Sequence, residues 1–494
     1  MSRRVVGFLT VVTVVACLIA LPAVHAGDVS HARIVRLSYA QGAVEFRTDA
    51  GSRWQKAMVN TPLREGMSLA TGDGRAEVEF ENGALLWMAS NTVVELQQLA
   101  LEDGAKQTQF QVRQGTATVY VNPGRHDSFV VRAGELQVAA PENAHFRTDV
   151  FDDGAAVSVM HGSVDVTARG GTQRVGSHKT LALRNNPAEN AIVSGNPRSD
   201  AWDHWVSDRD ASVEAARYSA SDYLDSPYGY GMADLSFYGG WLDVPGYGIG
   251  WQPYGVGPGW SPFYNGYWGM YGGFGPTWIS YEPWGWLPYH YGGWEFLPGY
   301  GWAWVPGSFG AWSPGTVFWV NTPGGIGWVA RAPGEKLKGT PTNLSHGVIT
   351  NTPVGMLAGT RNRMVRASVA EGVGVGAVEN WKDNAALMRW SQEAEARTAA
   401  TGAKPGITRG ALRMPEGAAP RIATAGMYAG RVAKYRPPSP PRSAGFGYGG
   451  GPATPSFGGA GGNAPAFGNS GKVSGAAAPT HGGAAGGGAH PGKP

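Results

Sequence analysis

The stretch that most constrains this chain reads GWLPYHYGGW, residues 285–294. It belongs to a longer segment, residues 228–329, in which a tryptophan recurs about every eight to ten positions among Gly, Pro and Tyr. The tryptophans are Trp241, Trp251, Trp260, Trp268, Trp278, Trp284, Trp286, Trp294, Trp302, Trp304, Trp312, Trp319 and Trp328. Proline excludes a continuous helix and central strands. The segment therefore predicts short extended pieces joined by Gly/Pro turns, with Trp as the packing residue.

The ten residues 285–294 have an earlier copy, GWSPFYNGYW at residues 259–268, which aligns with them without a gap. A second echo links GYGIGW at residues 246–251 with GYGWAW at residues 299–304. Repeats of this kind indicate one supersecondary unit used several times, each unable to bury its apolar face alone. We expect residues 227–330 to form a compact, irregular β/turn module rich in aromatic side chains.

Aromatic rings in such a module have two possible uses. Some could lie exposed as flat platforms for the sugar faces of peptidoglycan or another polysaccharide, because a ring with a polar edge suits a wet, half-apolar ligand. Alternatively, they form the core. The candidate ligand-binding residues, taken from the two copies, are Trp260, Tyr264, Trp268, Trp286, Tyr289, His290 and Trp294. His290 aligns with Tyr264, which indicates an aromatic position instead of a catalytic base.

The charges of the module narrow the class of ligand. Between residues 227 and 330 the only formal charges are Asp234, Asp243, Glu282 and Glu295, and there is no Lys or Arg. Stacking on nucleic-acid bases goes with a basic groove. Nucleic acid is therefore not expected as a partner.

Residues 30–190 show a different pattern, with apolar and polar residues alternating in short runs. Examples are AEVEF at residues 76–80 and TVYV at residues 118–121. Such alternation predicts strands with one wet face, and dipeptides such as Asn82-Gly83 predict tight hairpins. Short strands without a helical period between them predict an all-β sandwich, a roll or a short solenoid.

Three glycines in this β module each precede an alternating run: Gly42, Gly115 and Gly162. They lie in the sequences QGAVEF, QGTATV and HGSVDV. Glycine can turn the chain into a new strand without strain at Cβ. We expect these positions to serve geometry, not chemistry.

The order of these motifs resembles the FecR domain. The similarity covers roughly residues 33–185, and its most specific part is PLREGMSLATGDGRAEVEFENGALLWMASNTVVEL at residues 62–96. The resemblance implies a β-rich envelope module, best known from regulators that relay a signal from an outer-membrane receptor to a sigma factor. Those regulators carry a cytoplasmic helical segment and a membrane helix before the domain. Here only a signal-like stretch precedes it, so we do not expect sigma-factor control to carry over.

The whole arrangement also resembles a family of exported bacterial proteins in which a FecR-like domain precedes a YxWGxW-like aromatic block and a low-complexity tail. This resemblance covers residues 33 to about 330 and implies envelope residence without a known activity.

A helix is predicted over residues 199–224, between the two modules. Ser199 or Asp200 can cap it, and its apolar positions recur at a period near 3.6. Those positions are Trp202, Val206, Val213, Ala216, Ala220 and Tyr223. His204 has acidic neighbours but no second ligand at a metal-binding spacing. The acids are therefore expected to be stabilised by the helix dipole in the first turn.

The C-terminal third is expected to hold little packed structure. Residues 331–400 predict a partly helical linker, with one helix from about residue 378 to residue 399. Residues 401–494 are Gly, Ala, Pro and Ser with ten scattered bases and one acid, Glu416. This composition cannot bury enough apolar surface to order itself. It predicts either a solvated spacer or an arm for anionic polymers.

The N-terminus predicts export. Arg3 and Arg4 precede an apolar run, and the small-residue pattern at residues 24–26 predicts cleavage before Gly27, which removes a signal peptide of residues 1–26. The alternatives are an uncleaved anchor or lipidation at Cys17, the single cysteine of the 494 residues. One cysteine excludes a disulfide framework. We expect the periplasm or cell envelope, with membrane contact only through this segment.

No catalytic motif stands out, since HExxH, GxSxG, GxxxxGK[ST] and CxxC patterns are missing from the sequence. We therefore expect no enzyme, cofactor or metal site. The favoured function is a non-catalytic envelope protein that binds a protein partner or a cell-wall glycan. The alternative is a sensing or signal-relay component related to FecR-type regulators.

Overall fold

The computed structural model describes the β module, the connecting helix and most of the aromatic module, all within one compact unit, Met1–Ser443. The described residues are 29–30, 33–196, 198–224, 230–256, 259–271, 275–307, 312–322, 325–336, 340–346, 348–351, 364–367 and 377–378. The predicted signal peptide, the predicted helix beyond residue 378 and the tail of residues 401–494 lie outside them.

The β module is built from strands alone. They are β1 (Val29–Ser30), β2 (Val35–Gln41), β3 (Val44–Arg47), β4 (Gln55–Lys56), β5 (Pro62–Leu63), β6 (Ser68–Thr71), β7 (Arg75–Phe80), β8 (Leu85–Met88), β9 (Val93–Glu102), β10 (Ala105–Val121), β11 (Ser128–Ala133), β12 (Leu136–Ala139), β13 (Ala144–Phe151), β14 (Gly154–Ala168), β15 (Gly171–Gly176), β16 (Lys179–Arg184) and β17 (Ile192–Gly195).

Two sheets share the long strands β10 and β14. The first sheet runs in the order β4-β3-β6-β9-β10-β11-β12-β14-β15. The second runs β5-β2-β7-β8-β10-β13-β14-β16-β17. Pairing is antiparallel except between β10 and β11. One apolar core with residues from both sheets, including Leu37, Phe80, Phe110 and Phe146, holds them together.

The chain passes from one sheet to the other at the three glycines noted above. Gly42 lies between β2 and β3, Gly115 lies inside β10, and Gly162 lies inside β14. Their φ angles are 72°, 86° and 75°, in the left-handed region that favours glycine. The predicted geometric role of these residues is confirmed.

Helix α1 (Ala201–Ser221) connects the two modules, as predicted. Asp200 caps it by accepting hydrogen bonds from the backbone N–H groups of Trp202 and Asp203, and the Asp203 carboxylate accepts one from Asp200 N–H. This reciprocal capping box is why the helix begins here. Tyr223 lies outside the helix and is exposed, whereas Trp205 and Arg209 are additional buried positions.

The aromatic module consists mainly of four β-hairpins. Its elements are α2 (Met232–Tyr238), β18 (Gly239–Val244), β19 (Gly248–Pro253), β20 (Gly266–Tyr271), β21 (Gly275–Ser280), α3 (Trp286–His290), β22 (Gly293–Leu297), β23 (Gly301–Val305), β24 (Val317–Thr322) and β25 (Gly325–Ala330). Each hairpin places two tryptophans directly opposite one another. The pairs are Trp241 with Trp251, Trp268 with Trp278, Trp294 with Trp304, and Trp319 with Trp328. The hairpin geometry explains why tryptophan recurs at nearly constant spacing.

Structure continues past the expected module boundary at residue 330. A 3₁₀ helix spans Thr342–His346, and β26 (Val348–Asn351), β27 (Met364–Ala367) and β28 (Ala377–Val378) extend the sheet of β24 and β25. Between residues 348 and 378 the described elements are thus strands, and the helix predicted from about residue 378 to residue 399 lies outside the described residues. None of the helices among the described residues is both long enough and apolar enough to cross a bilayer.

Candidate functional site

The seven predicted ligand-binding residues divide into two groups by burial. Trp268, Trp286, Tyr289, His290 and Trp294 are at most 1% exposed and belong to the core of the aromatic module. Their rings have no free face on which a sugar could stack. Trp260 and Tyr264 are half-buried at the edge of the same core. Only these two retain surface for the predicted contact.

The two sequence copies pack against each other. Phe263 of the first copy lies 4.6 Å, centroid to centroid, from Tyr289 at the same position of the second. Trp260 lies 5.4 Å from Trp294. The local structures differ, because residues 286–290 form α3 whereas the matching residues 260–264 form a turn. The two copies of the repeat therefore bury their aromatic side chains against each other.

Glu282 is a buried carboxylate among these rings. It accepts hydrogen bonds from Trp260 Nε1 at 2.7 Å, from the Tyr289 hydroxyl and from Ser280 Oγ at 3.4 Å. All three donors are neutral. Burial raises the pKa of Glu282 to about 7, and the three hydrogen bonds only partly oppose this shift. The indole nitrogen of Trp260 is thus engaged with Glu282 and not with solvent.

His290 is a packing residue. Its Nδ1 lies 2.8 Å from the carbonyl oxygen of Ser313, and its ring stacks on Trp312 at 5.3 Å and 17°. Burial lowers its pKa to about 4, so the imidazole is neutral at pH 7 and Nδ1–H donates to that carbonyl. This placement agrees with the aromatic position expected from the repeat.

A buried network of charges joins the β module to the aromatic module. The guanidinium of Arg36, on β2, contacts Glu79 at 2.6 Å, Asp234 of α2 at 2.6 Å and Asn60 Oδ1 at 3.1 Å. Asn60 in turn donates from Nδ2 to the backbone carbonyl of Glu282 at 2.9 Å. The two modules therefore meet through hydrogen-bonded polar groups.

Helix α1 extends this network along the second sheet. Arg209 contacts Glu77 at 2.7 Å, and Arg217 contacts Glu79 at 2.9 Å. Burial alone would raise the pKa of Glu77, but the Arg209 guanidinium together with hydrogen bonds from Ser38 and Trp87 outweighs burial and lowers it to about 2. The alternation in β7 predicts a wet face for these two glutamates. That prediction is wrong, because a helix more than 120 residues later in the chain covers them.

The most exposed rings of the aromatic module are three tyrosines that the sequence did not single out. Tyr247, Tyr254 and Tyr300 are 44%, 52% and 76% exposed and lie in or beside the turns of the sheet β18-β19-β23-β22. Tyr223 is also exposed and stacks on Trp241 at 5.0 Å. The GYG motifs at residues 246–248 and 299–301 could have indicated exposed tyrosines, because each motif lies at a hairpin turn.

Among the described residues, no group of three or more His, Cys, Asp or Glu side chains is arranged to hold a metal ion. The polar residues described above act on one another and on the backbone. The arrangement can present aromatic surface and amide groups to a ligand.

Comparisons with known proteins give two family matches. The model of the FecR protein family matches residues 67–165, and the model of a family of unknown function, DUF6600, matches residues 232–335. No curated protein matches the chain.

Two similar solved structures are of a protein from Parabacteroides distasonis described as an anti-sigma factor. Each is 15% identical to this chain. One covers 30% of this chain and 72% of its own, with a TM-score of 0.24. The other covers 31% and 90%, with a TM-score of 0.23. By the two family matches, the chain combines a FecR domain, at residues 67–165 in the β module, with a DUF6600 domain, at residues 232–335 in the aromatic module.

Proposed function

We propose that this chain is a non-catalytic, FecR-type protein of the cell envelope that binds a protein partner or a cell-wall glycan. One observation carries the proposal: the aromatic module buries most of its indole rings but presents tyrosyl rings at its hairpin turns. Exposed rings with a polar edge are characteristic of binding surfaces. The signal-like N-terminus supports export to the periplasm or cell envelope.

The titratable residues of the interior support a binding role over catalysis. His290 is neutral and packed, while Glu77 and Glu79 are held by arginines that join the modules. Active sites are built from perturbed groups that can reach a substrate. Glu77 and Glu79 instead hold helix α1 on the β module, and His290 packs inside the aromatic module.

Fractionation and co-sedimentation test the proposal. We expect the protein in the envelope fraction, with the mass of a chain that begins at Gly27, and retention of that chain on purified peptidoglycan sacculi or cross-linking to one envelope protein. Recovery of the full-length chain from the cytoplasmic fraction, without either interaction, would exclude the proposal.

The FecR match at residues 67–165 favours a second candidate, a sensing or signal-relay component. Such a role requires the chain to communicate across the inner membrane. Thiol labelling of a Ser2→Cys variant that also carries Cys17→Ala distinguishes the two candidates. An uncleaved N-terminus on the cytoplasmic side supports relay, whereas cleavage after Ala26 removes it.

A further inference from the structure

Tyr254 and Tyr300 lie at the same end of the sheet β18-β19-β23-β22. Gln252, two residues before Tyr254, donates from Nε2 to the backbone carbonyls of Tyr300 at 2.7 Å and Trp302 at 3.1 Å. Strands β19 and β23, which carry these residues, pair at Trp251 and Trp304. The Gln252 side chain therefore lies against the β22–β23 turn that carries Tyr300.

Both tyrosines are held by rigid backbone. Tyr254 N–H donates to the carbonyl of Tyr238 at 2.8 Å, and its hydroxyl edge lies over Gly240, where an added Cβ would be 3.3 Å from Oη. Tyr300 N–H closes the β22–β23 turn on Leu297 at 3.0 Å. The Tyr254 ring, which packs over Gly240, therefore loses little conformational entropy when a ligand stacks on it.

Gln252 also supplies a directed polar group. Its two side-chain hydrogen bonds both use Nε2, and no donor to Oε1 is found among the described residues. With Nε2 committed to two backbone carbonyls, the side-chain oxygen has a fixed orientation and two lone pairs. It can accept from a hydroxyl or from the N–H of an acetamido group.

The negative charge of the aromatic module favours uncharged polymers over anionic ones as ligands. Residues 227–330 contain four acids and no base, so phosphate-rich or otherwise anionic chains would be repelled. Asp234 and Glu282 are buried, which leaves Asp243 and Glu295 as the acids near solvent. An uncharged chain of sugar rings meets no such penalty and presents apolar faces with polar edges.

From these observations we infer that Tyr254, Gln252 and Tyr300 form a binding site for an uncharged N-acetylated glycan. The tyrosyl rings stack on sugar faces, and Gln252 Oε1 accepts a hydrogen bond from an acetamido or hydroxyl group. This site rests on the proposed envelope function and specifies its ligand.

Calorimetric titration of the protein lacking residues 1–26 with the hexamer of N-acetylglucosamine tests the site. We expect Tyr254→Ala and Tyr300→Ala each to weaken binding about tenfold, equivalent to about 1.4 kcal/mol, and the double variant to weaken it about a hundredfold. Tyr218→Ala is the matched control, because that ring is 78% exposed but lies on α1. Its affinity should equal that of the wild type. Equal unfolding midpoints verify that the variants fold.

The outcomes separate the site from the function. If the wild type is retained on sacculi and both tyrosine variants bind the hexamer as tightly as wild type, the site is wrong and the proposed function stands. If the protein is retained on sacculi but does not bind the hexamer, the ligand class is wrong. If it is not retained and cross-links only to a protein, the glycan site is excluded.

Discussion

Glu282 and Glu77 are both buried carboxylates, but their neighbours give them opposite properties. Glu77 faces the Arg209 guanidinium and keeps its charge, whereas Glu282 has neutral donors. Burial disfavours the charged form unless a cation compensates. The pKa values therefore separate, to about 2 for Glu77 and about 7 for Glu282.

Glu282 predicts a pH-dependent stability. Its pKa rises from an ordinary 4.5 to about 7 on folding, so the folded state binds the proton more tightly. Its contribution is present below pH 4.5 and is lost as pH rises to 7. Relative to Glu282→Gln, the free energy of unfolding of the wild type should fall by roughly 2.5 kcal/mol from pH 5 to pH 8.

Urea unfolding at several pH values measures this difference. The comparison with Glu282→Gln is needed because burial also raises the pKa of Asp210 and Asp234, which shifts stability in the same direction. A constant difference between the wild type and the variant over this pH range would contradict the assignment.

Arg209→Met should be costly because it leaves the Glu77 charge buried without a counterion. We expect a loss of about 3–5 kcal/mol of unfolding free energy, measured by denaturant titration. Arg113→Met is the control, since its pair with Glu95 is largely exposed and should contribute at most about 1 kcal/mol. Adding Glu77→Gln to Arg209→Met should recover much of the lost unfolding free energy. If it does not, the loss comes from the packing of Arg209 and not from the unpaired charge of Glu77.

At the scale of the element, the strand crossovers depend on glycine. A Cβ on Gly115 would lie 2.5 Å from Thr92 Oγ1 and 2.7 Å from the carbonyl of Asn91, at a φ of +86°. Gly115→Ala should therefore cost roughly 3–4 kcal/mol of unfolding free energy, measured by thermal and urea unfolding.

Gly104 provides the matched comparison for Gly115. Its φ is +80°, but an added Cβ there meets nothing within 4 Å. Gly104→Ala should cost only the backbone strain, about 1–2 kcal/mol. Equal losses at the two positions would show that the crossover contact is unimportant.

The sequence predicted local elements of secondary structure, but it did not predict the tertiary contacts that these elements make. The QG and HG motifs predicted where the chain turns into a new strand. Ser199 or Asp200 was predicted to cap the helix, and Asp200 caps α1. The tryptophan spacing predicted packing units, yet not which rings would be buried, because both copies of the repeat contribute similar residues to one core. Alternation in β7 could not show that Arg209 and Arg217 would cover Glu77 and Glu79, since that contact joins distant parts of the chain.

At the scale of the whole molecule, the two modules should unfold together. Arg36 binds Glu79 of its own module and Asp234 of the other, so separation exposes groups that are now buried and paired. Tryptophan fluorescence, dominated by the aromatic module, and far-ultraviolet circular dichroism should give coincident transitions. Two separate transitions would contradict this coupling.

Asp234→Ala tests the origin of the coupling. It removes one of the two carboxylates bound by Arg36 and should lower both midpoints together. Asp243→Ala, which alters an exposed acid of β18, should leave them unchanged. A shift of the fluorescence midpoint alone would indicate that the modules fold independently.

The close tryptophan contacts have an optical consequence. Trp268 lies 5.2 Å from Trp278 at an interplanar angle of 64°, and 4.4 Å from Trp319 at 49°. Indoles at such separations and tilts share their electronic excitations. This coupling gives two circular-dichroism bands of opposite sign. The folded chain should therefore carry a built-in chiroptical signature, by which assembly of its hairpins can be followed without any added dye.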